Sequence, residues 1–374
     1  MQINSQFDGG NIDCINSEHP ADIQLNIRKD NQSEFYQWFY FRVTGARDTQ
    51  CCFKILNAKD SAYEKGWHDY QAVASYDQDY WFRVPTEYVN GQLQISHTPE
   101  SDSIYYAYFA PYSLERCAEL VNWALEDHRV SLNVLGQTLD GRDLDQLIIG
   151  EPASHKKKIW IHARQHPGET MASWWMEGFL QRLLDATDPI ARAVLNQAVF
   201  YVVPNMNPDG SYRGHLRTNA AGANLNREWL TPTMEKSPEV YLLREQMEKL
   251  GVDFCLDVHG DEALPYNFAV AAEGVPDWNE KYAQNYHQFC QSLLAVSPDF
   301  QTSHGYPKDS PGTADLTICT NYIVQHLQAP AIILEMPFKD TVETPEPVQG
   351  WSAERSSRLG AACLNAIADI VKAL

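Results

Sequence analysis

Apolar and polar positions change their period part-way along this chain. Up to about residue 110 the apolar stretches are short, aromatic and β-branched, as in Phe35 to Val43 and Cys51 to Leu56, and turn pairs such as Thr44-Gly45 and Asn90-Gly91 punctuate them. This predicts an all-β first part. Beyond it, apolar residues recur at helical spacing over about Ser113 to Glu126, Glu169 to Leu184, Ser237 to Leu250, Asn279 to Ala295 and Ala353 to Leu374. Between them lie nearly continuous apolar runs, Lys158 to Ala163, Ala198 to Val203, Val252 to Val258 and Ala331 to Leu334. Apolar runs alternating with helices imply an α/β sheet. The aromatic residues of the first part, among them Trp67, Tyr70, Tyr76, Tyr80, Trp81 and Phe82, are expected in its core. No internal repeat or low-complexity segment interrupts the pattern.

With 374 residues, 44% hydrophobic and 21% charged, the chain is long enough for two domains and has the composition of an ordinary soluble protein. Met1 to Gly10 carries neither a basic n-region nor an apolar h-region, and no run is long enough to span a bilayer. A cytoplasmic protein without a membrane partner is expected. The eight cysteines show no C-x-x-C spacing and several sit in apolar segments, which suits buried reduced thiols better than a disulfide framework. A net charge of −20 and a pI of about 4.9 argue against nucleic acid as a partner. They also disfavour a polyglutamate substrate unless the cleft is locally basic.

Against this background one cluster of residue types stands out. His166-Pro167-Gly168-Glu169 follows the first apolar run of the sheet, and His259-Gly260 closes the third. Two imidazoles and a carboxylate make a three-ligand zinc site that leaves one position open for water, the set by which carboxypeptidase A is known. Other polar residues also fall just past apolar runs: Asn207-Pro208-Asp209-Gly210, then Arg217, then Asn226-Arg227, and finally Glu335 after Ala331 to Leu334. In open α/β sheets that is where ligands bind, outside the carboxyl ends of strands. Glu335 is the candidate to take a proton from water and return it to a leaving amine.

The motifs HPGE, NPDG, GANLNRE, DVHG and ILEM, in this order, resemble the zinc metallocarboxypeptidases of the carboxypeptidase A superfamily, nearest to the cytosolic carboxypeptidase branch. The likeness covers about residues 130 to 374. It extends over Tyr106 to Tyr112, similar to the segment that joins the branch's N-terminal β domain to its catalytic domain. It implies an antiparallel β-sandwich domain over residues 1–112, then over 113–374 a catalytic domain built on a mixed, mostly parallel sheet flanked by helices. It further implies one zinc ion per chain on His166, Glu169 and His259. Glu335 would then be the general base, Arg217 the group that stabilises the oxyanion, and Asn226 and Arg227 the binders of a substrate's free carboxyl terminus. Tyr306 is the candidate for the family's mobile tyrosine, with Tyr322 as the fallback. The substrate implied is the C-terminal tail of a peptide or protein.

Two positions depart from the family. Asn224 stands where an aspartate usually orients a zinc histidine, and Ala314-Asp315 replaces the basic residue that deglutamylating members carry. His162 is expected to be a buried, hydrogen-bonded histidine rather than a ligand. Two other readings stay open: a zinc amidohydrolase of the aspartoacylase or desuccinylase kind, acting on N-acyl amino acids, and a non-catalytic module stabilised by zinc. The latter has no need of Glu335 or Arg217. Neither the side chain removed nor the oligomeric state can be read from the pattern.

Overall fold

The computed structural model describes residues 1–374. Ten strands come first: β1 (Gln2–Asn4), β2 (Asp13–Asn16), β3 (Ile23–Asn26), β4 (Tyr40–Thr44), β5 (Cys51–Ile55), β6 (Val73–Ser75), β7 (Phe82–Arg83), β8 (Thr86–Val89), β9 (Gln92–His97) and β10 (Ser103–Ala107). They form two five-stranded sheets, ordered β1-β4-β10-β6-β7 and β2-β3-β5-β9-β8. Pairing is antiparallel except between β3 and β5, which run parallel. The sheets meet through aromatic side chains, Phe53 of one lying 5.8 Å from Phe41 and 4.8 Å from Tyr106 of the other, centroid to centroid. Of the aromatic residues expected in the core, Trp67, Tyr70 and Trp81 are buried, whereas Tyr80 is exposed.

The strand expected over Phe35 to Val43 starts only at Tyr40. Ahead of it, the side-chain amide of Gln37 accepts from the Tyr63 backbone N–H at 2.8 Å and donates to the Tyr63 carbonyl at 3.1 Å. That side chain satisfies backbone groups that a neighbouring strand would otherwise have to satisfy.

The second part begins with α1 (Leu114–Leu125) and the strands β11 (Val130–Gln137) and β12 (Asp143–Ile149), followed by β13 (Lys157–Ala163). Next come α2 (Met171–Leu184), α3 (Pro189–Gln197), β14 (Ala198–Val203), α4 (Pro208–Arg213), α5 (Pro238–Leu250) and β15 (Phe254–Asp261). The chain ends with β16 (Phe268–Ala271), α6 (Glu280–Val296), α7 (Cys319–Tyr322), β17 (Ala331–Pro337) and α8 (Ala353–Ala373). The seven strands are ordered β11-β12-β14-β13-β15-β17-β16. The central β14, β13, β15 and β17 are mutually parallel, and the edges are antiparallel. The sheet is mixed and mostly parallel at its centre, as expected.

Alternation along β13 sorts the two faces. Ile159, Ile161 and Ala163 enter the core formed with α2, α3, α6 and α8. Trp160 points to the opposite face, stacks on Tyr201 at 4.5 Å and joins the core under α5 and α7. Helix α3 escaped the periodicity because it is short, with Asp188 accepting from the N–H groups of Ile190 and Ala191 to start it. The hairpin β11–β12 escaped because β11 is half-exposed along most of its length and makes no apolar run.

The two parts share one apolar core. Tyr108 stacks on Phe338 at 4.5 Å, and Tyr112 meets Trp174 edge-on at 4.9 Å. Across the same boundary, the Arg83 guanidinium donates to the carbonyls of Phe338, Gln349 and Trp351 at 2.8 to 3.0 Å. No helix is long and apolar enough to cross a membrane.

Candidate active site

Three neighbouring parallel strands bring the candidate residues together at their carboxyl ends. His259 on β15 sits in register with Glu335 on β17, and His166 lies just past the end of β13 on the other side of β15. Arg164 turns the chain there, with a left-handed φ of 63°. The loop that follows is packed too closely for a side chain at Gly168, where a Cβ would sit 2.9 Å from the Leu216 carbonyl oxygen. Glu169 is thereby carried back over the strand ends.

His166, Glu169 and His259 are each at least 97% buried. The Nδ1 atom of His166 is 2.7 Å from Glu169 Oε1, that of His259 is 2.9 Å from Oε2, and the two Nδ1 atoms are 3.2 Å apart. The ligand atoms of all three residues lie within 4.8 Å of one another and face one point, so a single divalent cation can accept a lone pair from each. The donor set fits zinc.

Behind each imidazole stands an oxygen that fixes its ring. Asn224 Oδ1 lies 3.0 Å from His166 Nε2, and Asp257 Oδ2 lies 2.9 Å from His259 Nε2. The two rings are held at opposite ends of the scale. Burial and then the positive charge of Arg217 push His166 down to about 4. Burial opposes charge on His259 as well, but Asp257 and Glu169 outweigh it and raise that imidazole well above its ordinary range.

Glu335 is 6% exposed; Oε1 lies 3.3 Å from the Tyr306 hydroxyl, and Oε2 is buried with no hydrogen-bond partner. Burial raises its carboxyl well above the usual range, helped by Glu169, Asp261 and Glu262 and opposed by His259. Tyr306 also donates to Asp261 at 2.6 Å and packs edge-on against Phe268. Tyr322 lies elsewhere, in the core under α5, where its hydroxyl donates to Glu248 at 2.8 Å.

Arg217 presents its guanidinium to the rings of Phe35 and Tyr63, 5.6 Å from each centroid. Arg227 is half-exposed, with Nε 3.6 Å from Asp315. Asn226 is buried: its oxygen accepts from the Cys319 N–H at 2.9 Å, and its Nδ2 lies 3.4 Å from His259 Nε2.

Asn207, whose place past a strand suggested chemistry, is scaffold. It is fully buried, donates to the Gln165 carbonyl at 3.0 Å and caps α4 by accepting from the Gly210 N–H. Gly210 leaves room for the ring of Pro167, whose Cγ a Cβ there would meet at 2.4 Å. Asp209 ties the β11–β12 turn to the same loop, accepting from Thr138, from the Asp140 N–H and from Arg142.

Comparison with known proteins gives this geometry a family. Residues 3–109 match the cytosolic carboxypeptidase N-terminal domain, and residues 120–305 match the zinc carboxypeptidase domain. A metallo-carboxypeptidase from Burkholderia cenocepacia is 47% identical, each chain covering 100% of the other, with a TM-score of 0.97. The chain belongs to the zinc carboxypeptidases. A Pseudomonas aeruginosa metallo-carboxypeptidase, solved in complex with (2-guanidinoethylmercapto)succinic acid, is 45% identical over 100% of both chains, with a TM-score of 0.97. Mouse cytosolic carboxypeptidase 6 is 29% identical over 83% of this chain, which spans 62% of that longer protein.

As a member of this family the chain is a metallocarboxypeptidase, hence a hydrolase of the exopeptidase kind. Reading residues one at a time missed Asp257, Asp261 and Glu262. The first had a signal: Asp257 precedes His259 by two positions on a strand, so both side chains leave the same face. Asp257 also holds His162, whose Nε2 is 3.1 Å from Oδ1, 3.4 Å from Cys319 Sγ, and whose ring stacks on Trp229. His162 is a buried, hydrogen-bonded histidine outside the His166, Glu169 and His259 cluster.

Proposed function

We propose that this zinc carboxypeptidase hydrolyses the C-terminal peptide bond of a peptide or protein tail, with one zinc ion held by His166, Glu169 and His259. The observation that carries the reading is the buried, unpartnered Oε2 of Glu335 on the strand beside His259, a carboxylate kept dry next to a cation site. Zinc bound there supplies a Lewis acid and lowers the pKa of a coordinated water towards about 7.

The chain's own residues do the rest. Glu335 accepts the water's proton and delivers it to the leaving amine, a shuttle that suits a carboxyl already raised by burial. Arg217 faces the charge that develops on the carbonyl oxygen. Arg227, with the Nδ2 of Asn226, holds the terminal carboxylate, and Tyr306 closes over Glu335. That the Pseudomonas relative was solved in complex with a succinic acid derivative supports carboxylate recognition. Eight free cysteines, five of them buried, support the cytoplasmic setting.

The test is a peptide library varied at its last residue, as free acids and as C-terminal amides, incubated with zinc-loaded protein and with Glu335→Ala. Release of amino acids from free acids by the wild type alone bears the proposal out and names the preferred side chain. No release from any peptide, beside cleavage of N-acyl amino acids, would sink it in favour of the amidohydrolase reading.

A further inference from the structure

The loop that carries Arg217 rests on the N-terminal sandwich. Asp30, 3% exposed, accepts from the backbone N–H of Leu216 at 2.7 Å through Oδ1. Through Oδ2 it accepts from the N–H groups of Arg217 at 2.8 Å and Thr218 at 2.9 Å, and from the Thr218 hydroxyl at 3.1 Å. Nearby, the Asn31 N–H donates to His215 Nε2 at 3.0 Å, and the side-chain amides of Asn11 and Asn31 donate to the carbonyls of Gly214 and Ala220. The side chain of Arg217 then lies against Phe35 and Tyr63, both from the same sandwich. Leu216 passes the constraint on, its carbonyl accepting from the Gly168 N–H at 2.8 Å inside the loop of His166 and Glu169.

One carboxylate that takes three successive N–H groups fixes two peptide planes around Arg217, and with them the direction of its Cα–Cβ bond. Such charge-assisted bonds are about twice as strong as neutral ones. We propose that Asp30 is a positioning residue for catalysis: by fixing the backbone of Leu216 to Thr218 it aims the Arg217 guanidinium at the reacting carbonyl, so the sandwich is a working part of the active site. This rests on the oxyanion role given to Arg217 above.

Asp30→Asn keeps the shape but replaces an accepting oxygen with an N–H2 group that faces N–H donors. Misplacing a catalytic group by about 1 Å costs on the order of a hundredfold in rate, so kcat should fall about 10- to 100-fold. KM, set by Arg227, should change by less than about threefold, since its carboxylate contact is untouched. Zinc content should stay at the wild-type value.

The deciding readout is a double-mutant cycle with Arg217→Ala, because residues that act as a unit are non-additive. In the Arg217→Ala background Asp30→Asn should change kcat by less than about threefold. The same loss in both backgrounds, or no loss in either, overturns the positioning role. A kcat undiminished by Arg217→Ala alone overturns the oxyanion reading instead. Should Asp30→Asn not fold, Thr218→Val removes a single hydroxyl contact and serves in the same cycle: a loss of kcat only where Arg217 is present supports the role, and an equal kcat or an equal loss in both backgrounds defeats it.

Discussion

Asn224 accepts from His166 at the ring nitrogen opposite the one that faces Glu169, at 3.0 Å. An amide holds the ring but makes it a weaker base than a carboxylate would. Asn224→Asp should therefore tighten zinc by on the order of tenfold, the scale on which such outer partners act. Chelator competition measures it. An unchanged affinity together with an unchanged pH–rate profile would show that Asn224 does not tune the metal.

Glu335→Gln keeps the shape of the side chain and removes the proton acceptor. Loss of general acid–base catalysis costs roughly 10²- to 10⁴-fold in kcat. Zinc content should be unaffected, because the three ligand side chains remain. A variant that retained turnover within a few-fold of wild type would take the shuttle away from Glu335.

Arg227→Lys keeps a positive charge but loses the planar fork that grips a carboxylate through two parallel bonds. KM for free-acid peptides should rise by about tenfold, the value of one charge-assisted hydrogen bond, with little change in kcat. Steady-state kinetics on one peptide pair, acid and amide, checks it. A variant with an unaltered KM would move the carboxylate site elsewhere.

Removing zinc leaves two imidazoles and a carboxylate buried against one another. Zinc at a hundredfold over its dissociation constant should stabilise the fold by about 2.7 kcal/mol relative to the stripped protein. The effect should shrink as pH falls and protons compete for His166 and His259. Thermal melts with and without zinc at two pH values measure both. Identical melting temperatures would rule out metal binding at this site.

Glu239 is fully buried, and burial pushes its carboxyl up to about 7, against the pull of its own N–H and of Asn219. The unfolded chain gives up this proton near 4.5 and the folded one near 7, so folding loses stability as pH rises between those values and keeps the penalty above them. Glu239→Gln should be more stable than wild type by roughly 3 kcal/mol at pH 8 and no different near pH 4, since one pKa unit is worth about 1.36 kcal/mol. Urea titrations at both pH values test it. A gain of equal size at both would mean that packing, and not titration, is responsible.

The chain announces its long helices and central strands because each repeats one period over many residues. It announces the zinc-ligand candidates because they stand at the ends of those strands. What it hides are contacts made by single residues across long separations. Nothing near Asp30 says that it will cap a loop some 186 residues later. The sequence offers Tyr306 with Tyr322 as the fallback, and the fold sends the first to Glu335 and the second to Glu248. Asn207 looked like chemistry because scaffold residues at strand ends are polar too, having buried backbone to satisfy.

The fit of Pro167 into the gap left by Gly210 has a hereditary consequence. A ring in one loop and a missing side chain in the other are halves of a single fit, so neither can drift alone. Lineages that keep the histidine-bearing loop should inherit the glycine with it, and a chain carrying one without the other should be suspected of having given up the reaction.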